Sequence, residues 1–489
     1  MLRTMADAGF DPEAALAHAN NLFRAKKYPE AEAACREILQ RDPRHGGAWE
    51  RLAHIASNTH RPLEAIAAYE EAIRHLPHPA EAHNNLAVTL HQRWDLEGAQ
   101  RHYRSAVALG LRHALLHSNL GCLLRDLGHL EDGVAELRRA LEIDPWLAHG
   151  HSNLGVVLCL QARADLGLPH LRLATALKPD WDLAWSNLLF CLNYVDTVPP
   201  AAVSAIHGRY GRQFDDADRL TSFHPRSTTD PDPERRLRVG LVSPDLKQHS
   251  VAYFLEPLLA SHDPARVEYF AYANVISPDA VTERLQKQVE HWRSISGVSD
   301  EMAARQIEAD RIDILIDLAG HTANNRLALL ARRPAPVQMT YLGYANTTGL
   351  QAIDWRLTDA WADPPGTTEA LHTEELLRIP GGFLCYRPRE PSPEPGPPPV
   401  STTDRITFGS FNILAKVSPT VLGLWARILD RVPGARLILK GPAFADPATK
   451  AAFQARLHET PLGGHDVALV PHIMDEREQI GRASCRERV

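Results

Sequence analysis

The first 195 residues of the chain repeat at an interval of 34 residues, and this register limits the folds that the chain can adopt. Three columns of residues follow the interval, one of proline, one of leucine and one of tryptophan or histidine: Pro43, Pro77, Pro145 and Pro179; Leu52, Leu86, Leu120, Leu154 and Leu188; Trp49, His83, His117, His151 and Trp185. A repeat of this length is one supersecondary unit that buries its apolar face only by stacking on its neighbours. The register therefore predicts a linear stack of units rather than one globular core.

A second set of columns identifies the repeating unit as a pair of antiparallel helices. A small residue is followed four positions later by tyrosine or leucine and, after three more, by alanine, as in Ala65, Tyr69 and Ala72. Small residues let two helices approach closely, and the proline ends the second helix before the next pair begins. This pattern is that of the tetratricopeptide repeat, so an α-solenoid is predicted for residues 1–195, with a more degenerate first repeat at about residues 12–43.

One column of asparagines lies directly before the leucine column, at Asn85, Asn119, Asn153 and Asn187. A structural interpretation is that each amide bonds a neighbouring turn and joins the repeats. A functional interpretation is a ladder of amides that bonds the backbone of an extended acceptor polypeptide whatever its sequence. The second is preferred, because asparagine is a poor helix former and needs a reason to recur. The same repeats place three histidines about a helix pair apart, so packing rather than metal binding is expected for His83, His117 and His151.

Bulk composition narrows the class of function. The net charge of −7 and the pI of about 6.4 leave no general excess of lysine and arginine to replace counterions on nucleic-acid phosphates. The chain has no apolar segment of secretory type near its start and no run of about 18 uncharged apolar residues. The six cysteines are scattered and form no CxxC pair. A cytoplasmic protein without a metal, nucleic-acid or membrane partner is therefore predicted.

From Leu237 the pattern changes to short apolar strands that alternate with helices, which is typical of a parallel, doubly wound sheet. Strands are predicted at 238–242, 267–273, 312–318, 336–341 and 355–359, with helices at 281–292 and 300–309. A segment with seven prolines over residues 387–400 separates these from further strands predicted at 405–408, 435–439 and 466–470. Two Rossmann-like lobes of the GT-B arrangement are therefore predicted: a connecting segment at 196–236, a first lobe at 237–387, a linker at 388–403 and a partial second lobe at 404–480.

The stretch RLRVGLVSPDLKQHS, at residues 236–250, carries the first candidate for catalysis. Its apolar strand is stopped by Pro244, so the polar residues that follow should lie at the carboxyl end of the sheet, where open α/β sheets bind ligands. His249 would then face a crevice, with an imidazole suited to proton transfer near neutral pH.

Four segments in this order, RLRVGLVSPDLKQHS, DRIDILIDLAGHT, RPAPVQMTYLGYANTTG and FGSFNILAKVSP, follow the 34-residue repeats. Together they resemble the tetratricopeptide-containing O-GlcNAc transferase family, which also includes the SPINDLY-type protein O-fucosyltransferases. The resemblance covers the chain up to about residue 478. It implies an inverting, metal-independent transfer of GlcNAc from UDP-GlcNAc to serine or threonine of polypeptides guided by the repeats. The alternatives are transfer of fucose from GDP-fucose and a non-catalytic tetratricopeptide scaffold.

The resemblance also implies roles for particular residues. His249 matches the family histidine on the acceptor side of the cleft, and Lys416 matches the lysine that meets the donor diphosphate, where it replaces a metal as counter-charge. His321, after the strand at 312–318, is expected to contact acceptor or sugar or to be structural. The hydroxyl-rich turn GYANTTG is expected to contact the donor through Gly343, Thr347, Thr348 and Gly349. No cofactor is expected besides the nucleotide sugar as co-substrate.

Two departures from the family pattern are expected to matter. Ile413 stands where family members carry asparagine or glutamine able to bond the diphosphate. The sequence after residue 478, IGRASCRERV with its preceding glutamine, lacks the apolar strand and the glycine- and threonine-rich loop with which the family's second lobe continues. Residues 481–489 are therefore interpreted as a non-native tail, the second lobe is expected to be incomplete, and this chain is expected to bind the donor poorly.

Overall fold

The computed structural model describes residues 10–216, 232, 234–388 and 405–471. The chain divides into two compact units, Met1–Asn153 and Leu154–Val489. The predicted linker beyond Pro388, much of the predicted connecting segment and the predicted tail lie outside the described residues. No described helix is long and apolar enough to span a membrane.

The first unit consists of antiparallel helix pairs, as the 34-residue register predicts. Its helices are α1 (Pro12–Arg24), α2 (Tyr28–Arg41), α3 (Gly46–Asn58), α4 (Pro62–His75), α5 (Ala80–Gln92), α6 (Leu96–Ala108), α7 (Ala114–Asp126), α8 (Leu130–Ile143) and the first part of α9 (Ala148–Leu160). The small-residue and tyrosine columns are buried between helices, as at Ala65, Tyr69, Ala99 and Tyr103. These columns therefore form the seams of the stack.

Three members of the tryptophan and histidine column, Trp49, His151 and Trp185, have a direct bond to the proline column. The indole of Trp49 donates to the carbonyl of Pro43, six residues earlier, over 2.9 Å. A ring nitrogen of His151 lies 3.0 Å from the carbonyl of Pro145 in the same geometry. In each case a ring N–H donates a hydrogen bond to a backbone carbonyl just after a helix end, where the carbonyl has no partner within the helix. Because tryptophan and histidine both carry such an N–H, either residue can occupy the column.

The turn inside each helix pair has a second 34-residue regularity, this time in the backbone. Its central residue has a positive φ in every repeat: Lys26 (58°), His60 (57°), Trp94 (66°), Gly128 (85°) and Ala162 (58°). Left-handed backbone costs about 1–2 kcal/mol for a residue with a Cβ, whereas glycine adopts it freely. Of the five repeats, the one with Gly128 has glycine at this position and therefore avoids the strain.

We expect Lys26→Gly to stabilise the first unit by about 0.5–1 kcal/mol, because relief of left-handed strain exceeds the extra entropy of glycine in the unfolded chain. Gly128→Ala, the same exchange reversed, should destabilise it by about 1 kcal/mol. Thermal unfolding followed by circular dichroism measures both. Equal melting temperatures for the two variants would contradict the assignment of strain to these turns.

The second unit begins within the repeats. The rest of α9, α10 (Ala164–Leu177), α11 (Asp182–Leu192) and α12 (Pro200–Phe214) belong to it. Leu188, Leu192 and Tyr210 from these helices share one buried cluster with Ile307 and Leu330 from the region of the first sheet. The final repeat helices and α12 are therefore part of the hydrophobic core of the lobe that follows.

The first sheet has seven parallel strands in the order β3-β2-β1-β4-β5-β6-β7. They are β1 (Leu237–Ser243), β2 (Val267–Ala273), β3 (His291–Ser294), β4 (Ile314–Asp317), β5 (Val337–Thr340), β6 (Trp355–Thr358) and β7 (Glu375–Arg378). The helices of this region are α13 (Ser250–Ser261), α14 (Ala280–Gln286), α15 (Asp300–Asp310) and the short α16 (Leu327–Leu330). The predicted parallel, doubly wound sheet is confirmed, and its strand order changes direction between β1 and β4.

One sequence prediction in this lobe is wrong. The helix predicted over residues 281–292 ends at Gln286, and the chain then forms the edge strand β3. His291 in that strand stacks on Phe270 of β2 with 4.1 Å between ring centroids, and its ring lies 2.7 Å from a carboxylate oxygen of Glu268. Both contacts are with residues of the neighbouring strand β2, so the hydrophobic periodicity of residues 281–292 could not have predicted the edge strand.

The second sheet has three parallel strands among the described residues, in the order β10-β9-β8. They are β8 (Thr407–Ser410), β9 (Arg436–Lys440) and β10 (Asp466–Val470), and they are connected through α17 (Pro419–Arg431) and α18 (Pro447–His458). All three strands lie within two residues of their predicted positions. Leu437, Leu439 and Phe453 belong to the separate apolar core of this lobe.

Candidate active site

The carboxyl ends of β1 and β4 mark the point where the strand order of the first sheet reverses. Ligands of open α/β sheets bind in the crevice at such a point. The segment after β1 carries Asp245 and His249, and the segment after β4 carries Asp317 and His321. The sequence prediction that both histidines follow strand ends is confirmed, and the two strands are direct neighbours.

Asp245 and His249 form a pair at the start of α13. His249 is the N-cap residue of this helix, and its Nδ1 accepts a bond of 3.3 Å from the backbone N–H of Val251. The same Nδ1 lies 3.7 Å from a carboxylate oxygen of Asp245. Burial raises the pKa of Asp245, and the nearby His249 and Lys247 lower it. The histidine side chain is 41% exposed and the carboxylate only 12%, so the ring faces outward from a buried orienting group.

Asp317 organises the turn that leads to His321. Its carboxylate accepts bonds from the backbone N–H groups of Ala319 and Gly320 and from the hydroxyl of Thr340. Complete burial raises its pKa to about 6, and the three bonds oppose that shift. The carboxylate therefore locks the turn after β4 to the end of β5.

His321 is buried and both of its ring nitrogens are engaged. Nε2 donates to the carbonyl of Thr348 over 2.8 Å, so Nδ1 accepts from the hydroxyl of Ser186 over 3.1 Å. Asn325 donates in turn to the Ser186 hydroxyl. Burial first, and the neighbouring His207 second, hold the pKa of His321 well below its usual range. Of the alternatives open for His321, the structural one fits these contacts, because an uncharged, fully bonded imidazole joins α11 to the loop after β5.

Three aromatic residues surround His321 and connect α12 to the same loop. The rings of His207, Tyr210 and Tyr344 lie within 5.5 Å of it, centroid to centroid. Nδ1 of His207 donates to the carbonyl of Val203, and its Nε2 accepts from the Tyr344 hydroxyl. This aromatic cluster anchors the chain around Tyr344, at the beginning of the hydroxyl-rich turn.

The buried His207 makes stability depend on pH. Burial lowers its pKa to about 4, below the ordinary value of 6.5, so the unfolded chain binds the proton more readily. Its contribution is fully present above pH 6.5 and is lost as the pH falls toward 4. We expect this residue to remove about 2 kcal/mol of stability between pH 7 and pH 5. Urea unfolding at both values measures it: His207→Gln should flatten the slope, and His78→Gln, at an exposed loop histidine, should leave it unchanged.

The hydroxyls of the GYANTTG turn have other partners than those expected from the sequence. Thr347 donates to Glu374 over 2.6 Å, and the backbone N–H of Thr348 donates to the same carboxylate over 2.7 Å, as does its hydroxyl. Both threonines and Glu374 are buried. Direct donor contact by these two hydroxyls does not fit the structure, because they are turned toward the interior carboxylate.

The two glycines of this turn are required by close backbone approach. A Cβ at Gly343 would lie 2.1 Å from the carbonyl oxygen of Leu318, at the end of β4. Gly349 has a φ of 81°, and a Cβ there would lie 2.1 Å from the carbonyl oxygen of His207 in α12. Both glycines therefore hold the turn against neighbouring backbone. Gly343 and Ala345, on either side of the buried Tyr344, retain exposed surface, so the first half of the turn is the part open to a ligand.

Lys416 lies after β8 in a short 3-10 turn, Leu414–Lys416, directly before α17. Its side chain is exposed, with Nζ 3.5 Å from the Asn412 side-chain oxygen. Ala415 is buried in the core shared with the repeat helices, which fixes the turn. Ile413 is 40% exposed and offers no polar group. No hydrogen bond or ion pair joins Lys416 to His249 or His321 in the described part of the chain.

The four asparagines of the column differ in their hydrogen-bond partners. Asn85 donates to a ring nitrogen of His54 over 3.2 Å, and Asn153 donates to the Ser118 hydroxyl over 3.1 Å, each across to the preceding repeat. Asn119 is half-buried and has no hydrogen-bond partner among the described residues. Asn187 lies in the second unit, near Ser186. The structural interpretation thus has direct support at Asn85 and Asn153, and Asn119 is the position best suited to an external ligand.

Several residues of this site were missed from the sequence. Asp245 precedes His249 by four residues, a spacing that could have revealed it. Glu374 and Ser186 carried no local signal, because each reaches the site from a distant segment. Among the described residues, no group of three or more histidine, cysteine or acidic side chains is arranged to hold a metal ion.

Comparison with known proteins agrees with this geometry. The profile of glycosyl transferase family 41 matches residues 217–386, and tetratricopeptide profiles match residues 50–110 and 114–145. The probable UDP-N-acetylglucosamine–peptide N-acetylglucosaminyltransferase SPINDLY of Petunia hybrida is 43% identical over 305 residues, which are 61% of this chain and 32% of the relative. A UDP-N-acetylglucosamine–peptide N-acetylglucosaminyltransferase of Caenorhabditis elegans is 35% identical over 152 residues, 31% of this chain and 13% of the relative.

A solved structure extends the likeness to the three-dimensional fold. A mutant of the Thermobaculum terrenum O-GlcNAc transferase superimposes with a TM-score of 0.76 at 33% identity, covering 83% of this chain and 76% of that one. The chain spans about a third of the length of the SPINDLY relatives that it matches. The repeats, the doubly wound lobe and this likeness together assign the chain to the O-GlcNAc transferase family, glycosyl transferase family 41.

Proposed function

We propose that this protein transfers N-acetylglucosamine from UDP-N-acetylglucosamine to serine or threonine hydroxyls of polypeptides. The observation that carries the proposal is the Asp245–His249 pair at the switch point of a family 41 lobe. The relatives whose names specify a reaction are named for this donor and for peptide acceptors. An outward-facing imidazole over a buried carboxylate is the arrangement that a hydroxyl nucleophile requires for general-base assistance.

The reaction is an inverting displacement at the anomeric carbon. The acceptor hydroxyl oxygen forms the new bond to this carbon, and the bond to the donor phosphate oxygen breaks with its electron pair on UDP. His249 takes the hydroxyl proton at Nε2. The buried carboxylate of Asp245 then stabilises the imidazolium through Nδ1, which lies 3.7 Å away.

The tautomer of His249 decides whether the ring can act as a base. When Nδ1 accepts from the Val251 N–H, the neutral ring carries its proton on Nε2 and has no lone pair there for the acceptor. A small rotation toward Asp245 lets Nδ1–H face the carboxylate and frees Nε2. Asp245 is therefore a positioning residue that favours the reactive tautomer.

Lys416 supplies positive charge for the leaving diphosphate. Its exposed ammonium lies at a strand end, next to the N-terminus of α17, whose backbone dipole favours anions. Asp196 bonds the hydroxyls of Ser418 and Thr420 at the start of this helix, which lowers the pKa of Asp196 and ties the helix to the chain after α11. The first half of the GYANTTG turn, around Gly343, contacts the donor. Thr347 and Thr348 fix the position of the turn through their bonds to the buried Glu374.

Labelled donors supplied separately to the purified protein with a cell lysate, each at a concentration high enough to offset the weak donor binding expected of this chain, test this function. Transfer of label from UDP-N-acetylglucosamine to protein, lost on β-elimination from serine and threonine, is the expected result. Transfer from GDP-fucose instead would assign the alternative sugar, which the apolar Ile413 at the phosphate turn leaves open. No transfer from either donor would favour a tetratricopeptide scaffold.

The repeats bind the acceptor polypeptide, with Asn119 as a contact. Asn119→Ala should raise KM for polypeptide acceptors about fivefold, the value of one hydrogen bond of about 1 kcal/mol, without lowering the melting temperature. Asn153→Ala is the matched control: its bond to Ser118 joins two repeats, so this variant should lose about 1 kcal/mol of stability. An unchanged KM for Asn119→Ala would make the column structural.

A further inference from the structure

Arg51 occupies the place of the asparagine column in the second repeat, 34 residues before Asn85 and directly before the leucine column. Its Nε donates to the side-chain oxygen of Asn20, 31 residues earlier, over 2.5 Å. Asn85 donates to His54 across the same interval of 31 residues. Both side chains therefore extend from the first helix of one repeat to the first helix of the repeat before it. The column of amides thus continues toward the N-terminus with a guanidinium group on the same face of the repeats.

The guanidinium of Arg51 is held in place but has no acidic partner. Its Cζ lies 4.6 Å from the ring centroid of Phe23, so an aromatic ring covers one face of the group. Nη1 lies 3.4 Å from Nδ1 of His54, but Nδ1 carries the ring proton when Asn85 donates to Nε2, and it then cannot accept from the arginine. Among the described residues, the guanidinium has Asn20 as its acceptor and forms no ion pair with a carboxylate. Nη1 and Nη2 are therefore left to bind an acceptor from outside the repeats.

Other arginines of the first unit show what this position lacks. The other half-buried arginines that the structure describes there, Arg61 and Arg125, each have a carboxylate within 2.8 Å. The bond to Glu32 raises the pKa of Arg61. Burial lowers the pKa of Arg51, and the charge of the preceding Glu50 offsets that burial only in part. Because a half-buried cation costs free energy unless it is paired, Arg51 would gain from binding an anion.

We propose, on the basis of the proposed function, in which the repeats bind the acceptor polypeptide, that Arg51 pairs with an acidic side chain of that polypeptide. An asparagine amide bonds a backbone whatever its sequence, whereas a guanidinium selects a carboxylate. Arg51 therefore adds a sequence preference that the amides cannot supply. Neighbouring helices pack about 8–10 Å apart, and an extended chain rises about 3.3 Å per residue. The acidic residue accordingly lies about five or six residues from the one bound at Asn119, two repeats away.

The column itself suggests the variants for a test. Arg51→Asn gives the second repeat the residue that the next four repeats have at this place, so the variant is expected to fold. Arg51→Glu reverses the charge at the same position. Arg44→Asn removes an equal charge from an exposed position in the loop before α3 and is the matched control.

Fluorescence anisotropy of labelled peptides with the purified full chain, in the absence of any sugar donor, tests the proposal. Three peptides of about 18 residues share one sequence of serine, threonine and alanine and differ in having glutamate, glutamine or lysine at every sixth position. Wild type and Arg44→Asn should bind the glutamate peptide about tenfold more tightly than the glutamine peptide, the effect of one charge-assisted hydrogen bond. Arg51→Asn should bind these two peptides equally, and Arg51→Glu should prefer the lysine peptide.

Equal affinity of wild type for the glutamate and glutamine peptides would overturn the proposal. A glutamate preference that survives in Arg51→Asn would do the same, as would the absence of binding to all three peptides. Failure of the proposed function gives a different result, because the binding assay contains no donor. A chain that prefers the glutamate peptide through Arg51 but transfers no label contradicts the reaction and leaves this site standing. A chain that transfers label but binds both peptides equally contradicts the site alone.

Discussion

Replacing His249 with alanine is expected to lower the turnover number for sugar transfer by about 10²- to 10⁴-fold, the range of a lost general base. The ring is outward-facing and its only bond within the helix is a cap of 3.3 Å, so the variant should still fold and should bind the donor as well as the unsubstituted chain does. Initial rates with labelled donor at saturating polypeptide measure the effect. His262→Ala, at the other end of α13, is the matched control and should retain turnover.

Asp245→Asn tests whether Asp245 acts by orienting the His249 ring or only by filling space beside it. The amide has the size of the carboxylate, but its N–H would donate to Nδ1 and favour the tautomer with Nε2 protonated, the wrong one for a base. Turnover should therefore fall by about 10²-fold or more, with KM for the donor unchanged. Because burial raises the pKa of Asp245, a neutral replacement should leave the melting temperature equal or higher. Full turnover in either His249→Ala or Asp245→Asn would remove the pair from the mechanism.

Replacing Glu374 with alanine is expected to destabilise the second unit by about 3–5 kcal/mol. The substitution leaves the buried N–H and hydroxyl of Thr348 without their acceptor, and it leaves the Thr347 hydroxyl with only the Thr373 hydroxyl at 3.0 Å; each buried group without an acceptor costs about 1–3 kcal/mol. It also removes a negative charge near Arg356, which is buried and whose pKa is lowered by that burial. Urea unfolding followed by tryptophan fluorescence, which reports Trp292 and Trp355 in this sheet, measures the loss.

The adjacent residue supplies the control. Glu375 is exposed at the start of β7, and Glu375→Ala should change the free energy of unfolding by less than about 0.5 kcal/mol. If the two variants unfolded at the same urea concentration, Glu374 would not be the acceptor that holds the hydroxyl-rich turn.

The fold was largely readable from the sequence where one residue type recurs at a fixed place. The repeat columns located the helix pairs, and the strand at 267–273 was predicted to the residue, because its last five residues form the buried apolar run that is typical of an inner parallel strand. The edge strands β3 and β7 could not be found in this way. They are four residues long, lie at the margins of the sheet and depend on partners such as Glu268 and Trp355.

Of the candidate site, only the residues that belong to a short sequence motif could be predicted from the sequence. His249 follows a strand that a proline stops, and that pattern is visible within fifteen residues. The partners that come from distant segments are not visible: Glu374, which bonds the GYANTTG turn, lies 26 residues after Thr348, and Ser186, which bonds His321, lies 135 residues before it. The hydroxyls of Thr347 and Thr348 looked like ligand contacts because the sequence cannot tell which side of a turn faces a buried carboxylate.

The core shared by the last repeat helices and the first lobe has a consequence for how such proteins vary and can be engineered. A cut at residue 195 would strip Leu188, Leu192 and their neighbours from the apolar surface that Ile307 and Leu330 complete. The last repeat helices therefore have to be kept together with the first lobe when the chain is divided or recombined. Residues Met1–Asn153 form a compact unit of their own, so we expect insertion or deletion of a repeat there to change the length of the solenoid without removing any residue from that core.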